Sequence, residues 1–144
     1  MDAALWLDCW QDLKKEAASG VDHVTADAYA ANLRGNIEAL VQRLKTKRYR
    51  AKLVRRCYIP KANGTERPLG IPALEDKLVQ LACAKLFTAI YEQDFLDCSY
   101  GYRPGRGALD AVRDLTCDLQ YGRYGSLVEA DVQGFFDHMD HTWL

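Results

Sequence analysis

An aspartate followed by a turn and two aromatic residues stands near the carboxyl end of the chain and could hold a metal ion. Asp131 follows a run of β-prone residues, and the turn after it brings the next backbone carbonyl and the rings of Phe135 and Phe136 alongside. Mg2+ prefers oxygen ligands and usually takes only one or two protein carboxylates. We therefore predict that Asp131 binds Mg2+ beside a surface on which a planar ligand could stack. The structural alternative is an aspartate that only caps the following turn.

A basic ribbon stands in the first half of the chain, between two runs of β-prone residues. The runs flank Ala62-Asn63-Gly64-Thr65, and Asn-Gly is a strong signal for a β-hairpin turn. Such a hairpin would present Lys61 and Arg67 from its two arms, with Arg55 and Arg56 at its base. Lysine and arginine suit the phosphates of a nucleotide or of a nucleic-acid backbone. The alternative is a solvated ribbon whose charges only prevent edge-to-edge aggregation.

A glycine-rich loop carries two tyrosines and two arginines immediately before a predicted helix. The loop runs from Ser99 to Gly107, and its arginines are Arg103 and Arg106. It offers positive charge, stacking surface and the N–H groups of a helix N-terminus, which together suit a nucleic acid. A purely structural loop has the same composition.

The hydrophobic periodicity predicts an α+β arrangement that positions these three segments. A helical stripe from Trp6 to Ala17 would close at Gly20, and Thr25 is a candidate N-cap for a second helix. The later predicted elements are a helix to residue 44, strands 53–59 and 67–71, a deeply buried helix 74–90, a helix 109–119 and a strand 127–131.

The charge of the chain is distributed unevenly. Its 144 residues carry 19 basic and 20 acidic side chains, and the formal charge of −1 argues against a dedicated nucleic-acid binder. However, residues 34–67, here called the basic segment, have a local charge of +9, and the remainder sums to −10. The eleven basic residues of this segment are Arg34, Arg43, Lys45, Lys47, Arg48, Arg50, Lys52, Arg55, Arg56, Lys61 and Arg67.

The cysteines and the hydropathy pattern are typical of a cytoplasmic protein. The five cysteines are scattered and never form a C-x-x-C pair, so they predict neither a disulfide framework nor a zinc site. No run approaches the ~18 apolar residues of a membrane span. The N-terminus lacks the layout of a signal peptide. We expect reduced, partly buried thiols and no membrane partner.

The ordered motifs resemble those of the group II intron-encoded reverse transcriptase and maturase family. The resemblance covers about residues 20–144 and rests on several segments in family order. These are Gly20-Val21-Asp22, the ribbon Ile59 to Pro72, the helix start with Asp76, Lys77 and Gln80, the loop Ser99 to Gly107, and the segment from Asp131 to Asp137.

The resemblance implies templated addition of deoxynucleotides to a primer with Mg2+. Lys61 and Arg67 would then lie at the triphosphate of the incoming deoxynucleoside triphosphate. Arg103 and Arg106 would help to seat the RNA template, the primer DNA or the first helix of the palm. Residues 1–126 would form an N-terminal extension and the fingers, and residues 127–144 a truncated start of the palm.

The resemblance also implies a role for each residue around the aspartate. Asp131 would be the first catalytic, metal-binding aspartate, with the Val132 carbonyl as the second ligand from that turn. Phe136 would pack against the deoxyribose and exclude a 2′-hydroxyl, and Phe135 would support it.

The chain differs from the family pattern at several positions and lacks the Asp-Asp pair of that pattern. The substituted positions are His23 for Gly, Lys77 for Arg, Tyr102 for Phe, Gly107 for Ser and Gln133 for Lys. No Asp-Asp pair occurs in the 144 residues, whereas two-metal catalysis needs further carboxylates. We therefore expect this chain alone to be inactive as a polymerase.

Two other functional interpretations remain open. One is a non-catalytic RNA-binding module that contacts intron RNA through the basic segment, with Arg48, Arg50, Arg55 and Arg56 among its contacts. The other is a decayed gene product that self-associates through an unpaired palm strand. Retron and CRISPR-associated reverse transcriptases share parts of the same motifs.

Overall fold

The computed structural model describes residues 3–62, 64–135, 138–140 and 142. Its regular elements are α1 (Ala3–Asp12), α2 (Ala26–Ala30), α3 (Leu33–Lys45), β1 (Arg55–Pro60), β2 (Glu66–Ile71), α4 (Leu74–Tyr91) and α5 (Ala108–Tyr121). The described residues thus contain helices and one antiparallel hairpin, which confirms the α+β class. Chain contacts define two units, Met1–Asp94 and Phe95–Leu144.

The core of the first unit forms where α1, α3 and the amino-terminal half of α4 meet. Trp6, Leu40 and Leu78 are its largest fully buried side chains. Trp10 stacks on Tyr29 with ring centroids 5.7 Å apart. Burial of these apolar side chains is the main stabilising contribution to the unit, at roughly 25 cal/mol per Å².

The first predicted helix is shorter than its apolar stripe indicated. α1 ends at Asp12, and Gly20 does not cap it. Instead, Gly20 is buried against the backbone that follows the hairpin, where an added Cβ would lie 2.5 Å from Ala73 Cα. The glycine is therefore required for close packing between distant segments, which a local periodicity cannot show.

The second predicted helix is interrupted. Thr25 caps α2 as predicted, because its hydroxyl accepts a hydrogen bond from Ala28 N at 3.2 Å. The chain then leaves the helical conformation at Asn32, which has φ −136°. The side chain of Asn36 donates to Tyr29 O at 2.9 Å, so it satisfies a carbonyl near the break.

The remaining helices match their predicted positions but not their predicted burial. α4 is buried only in its first half, at Leu74, Leu78 and Ala82, whereas Phe87 and Ile90 are exposed. None of the described residues of α5 is buried. The prediction that the whole of the third long helix is deeply buried was therefore wrong.

The prediction of a palm strand over residues 127–131 was also wrong. These residues have no regular secondary structure, and Val128 is 88% exposed. A strand needs a neighbour to accept and donate its backbone hydrogen bonds. The strands of the described residues, β1 and β2, pair with each other, so residues 127–131 have no strand partner there. Self-association through this segment stays a prediction.

The thiols agree with the sequence prediction. All five cysteines are unpaired; Cys9 is buried, and Cys98 and Cys117 are exposed. Across the described ranges, no helix combines the length and apolar character that a membrane crossing requires.

Candidate nucleic-acid interface

The tip of the hairpin is closed by two backbone hydrogen bonds. Lys61 N donates to Thr65 O at 2.7 Å, and Gly64 N donates to Lys61 O at 3.0 Å. Gly64 has φ +78°, a left-handed conformation that glycine adopts without steric cost and that is common in three-residue hairpin loops. Asn63, the other half of the predicted Asn-Gly signal, lies outside the described residues. Lys61 therefore stands next to the tip.

The strand register places the other hairpin cations. Arg67 lies opposite Ile59, close to the tip, and Arg55 and Arg56 lie opposite Ile71 and Gly70 at the base. Residues directly opposite share one face of an antiparallel pair. Arg55 and Arg67 therefore share one face, and Arg56 lies on the other. These positions agree with the sequence, and the phosphate-binding roles stay predictions.

The cations of the basic segment divide according to whether they have an acidic partner. Three form salt bridges: Arg34 with Glu38, Arg43 with Glu75 and Lys52 with Asp22. Within the residues that the structure describes, the other eight form no ion pair: Lys45, Lys47, Arg48, Arg50, Arg55, Arg56, Lys61 and Arg67. All eight except the partly buried Arg55 are exposed, so their charge is available to an external anion.

A buried carboxylate lies under the base of the hairpin. Asp76, in the first turn of α4, is 5% exposed and accepts hydrogen bonds from the Tyr49 hydroxyl and from Lys52 N, the latter at 3.0 Å. Burial, followed by the hydrogen bond to Asp76, raises the pKa of Tyr49 above its ordinary value. The tyrosine therefore stays protonated and remains a donor.

The neighbouring carboxylate joins α4 to α2 and α3. Arg43 Nη2 lies 2.7 Å and 2.8 Å from the two oxygens of Glu75, and the Tyr29 hydroxyl donates to Glu75 at 3.3 Å. The hydrogen bond to Glu75 raises the pKa of Arg43. This cation is therefore paired within the framework that joins the helices.

A second ion pair lies beside this framework. Lys52 Nζ is 2.8 Å from Asp22 Oδ2. Burial acts to raise the pKa of Asp22, but the bonds from Lys52 and from Val24 N together hold it below its ordinary value. The pair ties the chain just before β1 to the segment that follows α1.

The two loop arginines of the second unit have partners at the start of their loop and in the residues just before it. Arg103 Nη1 donates to the carbonyl oxygens of Leu96 and Ser99, at 2.8 and 2.9 Å. Arg106 Nη2 lies 3.2 Å from a carboxylate oxygen of Asp97. Both guanidinium groups therefore brace the loop, and their predicted contact with nucleic acid is left untested.

The predicted metal ligands lie in the second unit. Asp131, Val132 and Phe135 are exposed, and residues 133–135 form the turn that the sequence predicted after Asp131. Phe136 lies outside the described residues. No group of three or more histidine, cysteine, aspartate or glutamate side chains that could hold a metal occurs in the described part of the chain. One carboxylate and one carbonyl do not by themselves fit a two-metal centre.

The sequence reasoning assigned no role to the carboxylates under the hairpin. Glu75 and Asp76 are consecutive in the first turn of α4, where carboxylates are favourable to the helix dipole. The signal that could have indicated their role is the position of these two adjacent acidic residues shortly after the basic ribbon. Their partners, Tyr29 and Tyr49, could be identified only from the tertiary structure.

Comparison with known proteins places the chain among proteins encoded by group II introns. It is 38% identical to protein YkfC of Escherichia coli over 130 residues. These aligned residues cover 87% of this chain and 34% of YkfC. It is 38% identical to the group II intron-encoded protein LtrA of Lactococcus lactis over 132 residues. These aligned residues cover 91% of this chain and 21% of LtrA. No protein-family model matches the chain.

A fungal relative shows the same similarity over a shorter range. An uncharacterized 91 kDa protein in the cob intron of Schizosaccharomyces pombe is 35% identical over 108 residues, which is 75% of this chain. The chain spans about a third of the length of YkfC and about a fifth of LtrA. The chain belongs to the family of group II intron-encoded proteins, the reverse transcriptase and maturase family that its motifs resemble.

Proposed function

We propose that this chain is the fingers and early palm region of a group II intron-type reverse transcriptase, and that its hairpin holds phosphate groups. The observation that carries the proposal is the placement of Lys61 and Arg67. Both cations are exposed near the tip of a two-stranded ribbon, Lys61 directly after β1 and Arg67 in β2, and have no acidic partner among the described residues. The similarity to LtrA over most of the chain supports the same conclusion.

The chemistry of the two side chains suits different parts of a triphosphate. Lysine is a compact charge on a flexible stem, whereas the arginine guanidinium is a planar fork that can bind two phosphate oxygens. Cations on both arms of one ribbon could close on the phosphates of an incoming deoxynucleoside triphosphate. In this proposal Arg48 and Arg50 contact the backbone of an RNA template, and the loop of Arg103 and Arg106 lies close to template or primer DNA.

The metal site is the incomplete part of the proposal. Asp131 and the Val132 carbonyl would contribute oxygen ligands to Mg2+, with Phe135 and Phe136 beside the sugar of the nucleotide. Since this donor set alone does not fit two metal ions, we derive no catalytic step from it. Further carboxylates would have to complete the site.

A second candidate function is an RNA-binding module without catalysis. The observation that favours it is the number of cations left without an acidic partner, eight of the eleven in the basic segment. Phosphate contacts of this kind need neither a metal ion nor a complete palm. This candidate predicts RNA binding without nucleotide binding.

Titration of the purified chain with a labelled single-stranded RNA, and separately with a fluorescent deoxynucleoside triphosphate, tests both candidates. We expect RNA affinity to fall steeply with salt. The slope of log K against log salt is negative. Each of Arg48→Ala and Arg50→Ala should make it less steep by about 0.7, the value for one phosphate contact on a single strand. Lys61→Ala and Arg67→Ala should weaken triphosphate binding.

Lys14→Ala is the matched control, because it removes the same charge from an exposed site outside the basic segment. It should leave both affinities unchanged. RNA binding that does not depend on salt would contradict both candidates. Intact RNA binding with no triphosphate binding would favour the RNA-binding module over the reverse transcriptase region.

A further inference from the structure

We infer that Asp76 is a positioning residue for the hairpin: its buried carboxylate fixes the base of the ribbon and thereby sets where Lys61 and Arg67 are held. The inference rests on the proposed phosphate-binding function of the hairpin. It adds a residue that contacts no phosphate and acts through the two strands.

Both ends of the hairpin converge on the first turn of α4. Lys52, three residues before β1, donates its backbone N–H to Asp76 Oδ2 at 3.0 Å. β2 ends at Ile71, and only two residues separate it from the start of α4 at Leu74. The chain that enters the hairpin is therefore hydrogen-bonded to the same helical turn into which the chain that leaves the hairpin runs directly.

Tyr49 adds a second bond on the incoming side. Its hydroxyl donates to Asp76 Oδ1, so the two oxygens of one carboxylate hold two points of the chain ahead of β1. A buried carboxylate is costly unless its oxygens are hydrogen-bonded, and here both are. A rotation of the hairpin base would break bonds that water cannot readily replace.

The surrounding contacts restrict the same base. The backbone of Pro72 and Ala73 lies so close to Gly20 that an added Cβ would be 2.7 Å from Pro72 O. The side chain of Val54 packs against Gly70, where a Cβ would meet it at 3.0 Å. The base is therefore packed from two sides, and Asp76 supplies its buried polar anchor.

The length of the ribbon converts a small change at the base into a larger one at the tip. The six residues of β1 extend about 20 Å at a rise of about 3.3 Å per residue. A rotation of about 10° at the base would displace the tip by about 3.5 Å, which is more than the length of a hydrogen bond. Asp76 can thus influence phosphate binding from a distance at which it cannot touch the ligand.

Binding of a fluorescent deoxynucleoside triphosphate to variants in two backgrounds tests the inference. In the otherwise unchanged chain, Asp76→Ala should weaken binding by about two- to thirty-fold, the range for residues that act through a network. In a chain that already carries Lys61→Ala and Arg67→Ala, the same change should have no further effect. A merely structural role would weaken both chains alike.

Three further variants keep the test decisive. Asp76→Asn should bind within about two-fold of the unchanged chain, because its amide oxygen can accept from Lys52 N and its NH2 can donate to the Tyr49 oxygen. Tyr49→Phe, which keeps the Lys52 bond, should give a smaller loss than Asp76→Ala and serves if that variant does not fold. Lys85→Ala removes contacts between α4 and α1 away from the hairpin and should not change binding.

The outcomes separate the inference from the function on which it rests. No triphosphate binding by the unchanged chain, or binding that ignores Lys61 and Arg67, would refute the proposed function and the inference with it. Binding through Lys61 and Arg67 that Asp76→Ala and Tyr49→Phe leave intact would refute the inference alone. So would equal weakening by Asp76→Ala in the two backgrounds.

Discussion

At the scale of single residues, one position that departs from the family pattern, His23, acquires a physical meaning in the structure. His23 stands where the resemblance places glycine, and its φ is +56°, in the left-handed region. A side chain with a Cβ is strained at such φ values, whereas glycine is not. The departure at His23 therefore places backbone strain next to Asp22, the partner of Lys52.

Replacement of His23 by glycine should stabilise the chain. Relief of the left-handed strain outweighs the greater flexibility that glycine gives the unfolded chain, so we expect a gain of about 0.5–1 kcal/mol in the free energy of unfolding. Urea denaturation followed by circular dichroism measures it. His23→Ala retains the Cβ and should give no gain; equal stabilisation by both changes would contradict the strain argument.

At the scale of elements, α4 joins the core of the first unit to the hairpin. Its amino-terminal half carries the buried side chains and the carboxylates under the ribbon, whereas its carboxyl-terminal half leaves Phe87 and Ile90 exposed. One amphipathic sequence thus has two environments along its length. The stability of the hairpin base depends on the first half because β2 leads directly into it.

A pair of leucines on this helix tests the division. Leu78 is fully buried and Leu86 is 40% exposed. Leu78→Ala should lower the free energy of unfolding by about 2–5 kcal/mol, since it removes buried methyl groups and leaves a cavity. Leu86→Ala should cost less than about 1 kcal/mol. Chemical denaturation of both variants measures the difference, and similar losses at the two positions would disprove it.

At the scale of the whole molecule, the chain combines the basic segment, residues 34–67, with an acidic remainder. The formal charge of −1 is the sum of +9 in the basic segment and −10 in the other residues, so the total charge conceals a strong local positive charge. The chain corresponds to about a fifth of LtrA, and its one predicted metal-binding aspartate belongs to the second unit.

The 144-residue chain should not extend a primer in the presence of Mg2+. Two-metal nucleotidyl transfer needs several carboxylates around both ions, and the sequence contains no Asp-Asp pair to complete a site at Asp131. A primer-extension assay on an RNA template measures the activity. The Asp131→Ala variant controls for a contaminating polymerase, and extension that this substitution abolishes would overturn the prediction.

Local sequence signals predicted the elements well where the determining interactions are local. The hairpin turn, the Thr25 cap and the positions of α4 and α5 follow from backbone preference and from apolar periodicity over a few turns. The positions of Lys61 and Arg67 near the hairpin tip follow in turn from that turn and register. For the same reason, the motif order was sufficient to indicate the family.

The predictions were wrong where contacts between distant segments determine the local structure. The stripe ending at Ala17 did not extend α1, and residues 127–131, although β-prone, form no strand without a neighbouring strand. Glycine is a common residue at helix ends, but Gly20 instead packs against Ala73, more than fifty residues away along the chain. Periodicity reports which side of an element is apolar; it does not report what lies against that side.

The sequence by itself determined the order of the elements, the hairpin with its cations and the family to which the chain belongs. Only the tertiary structure decided which cations remain without an acidic partner and which carboxylate holds the hairpin base. Arg43 and Arg48 are equivalent in the sequence, yet one is bound to Glu75 and the other is exposed. The physical reason is that charge type is a property of a residue, whereas pairing and burial depend on which distant residues the fold brings within a few ångströms.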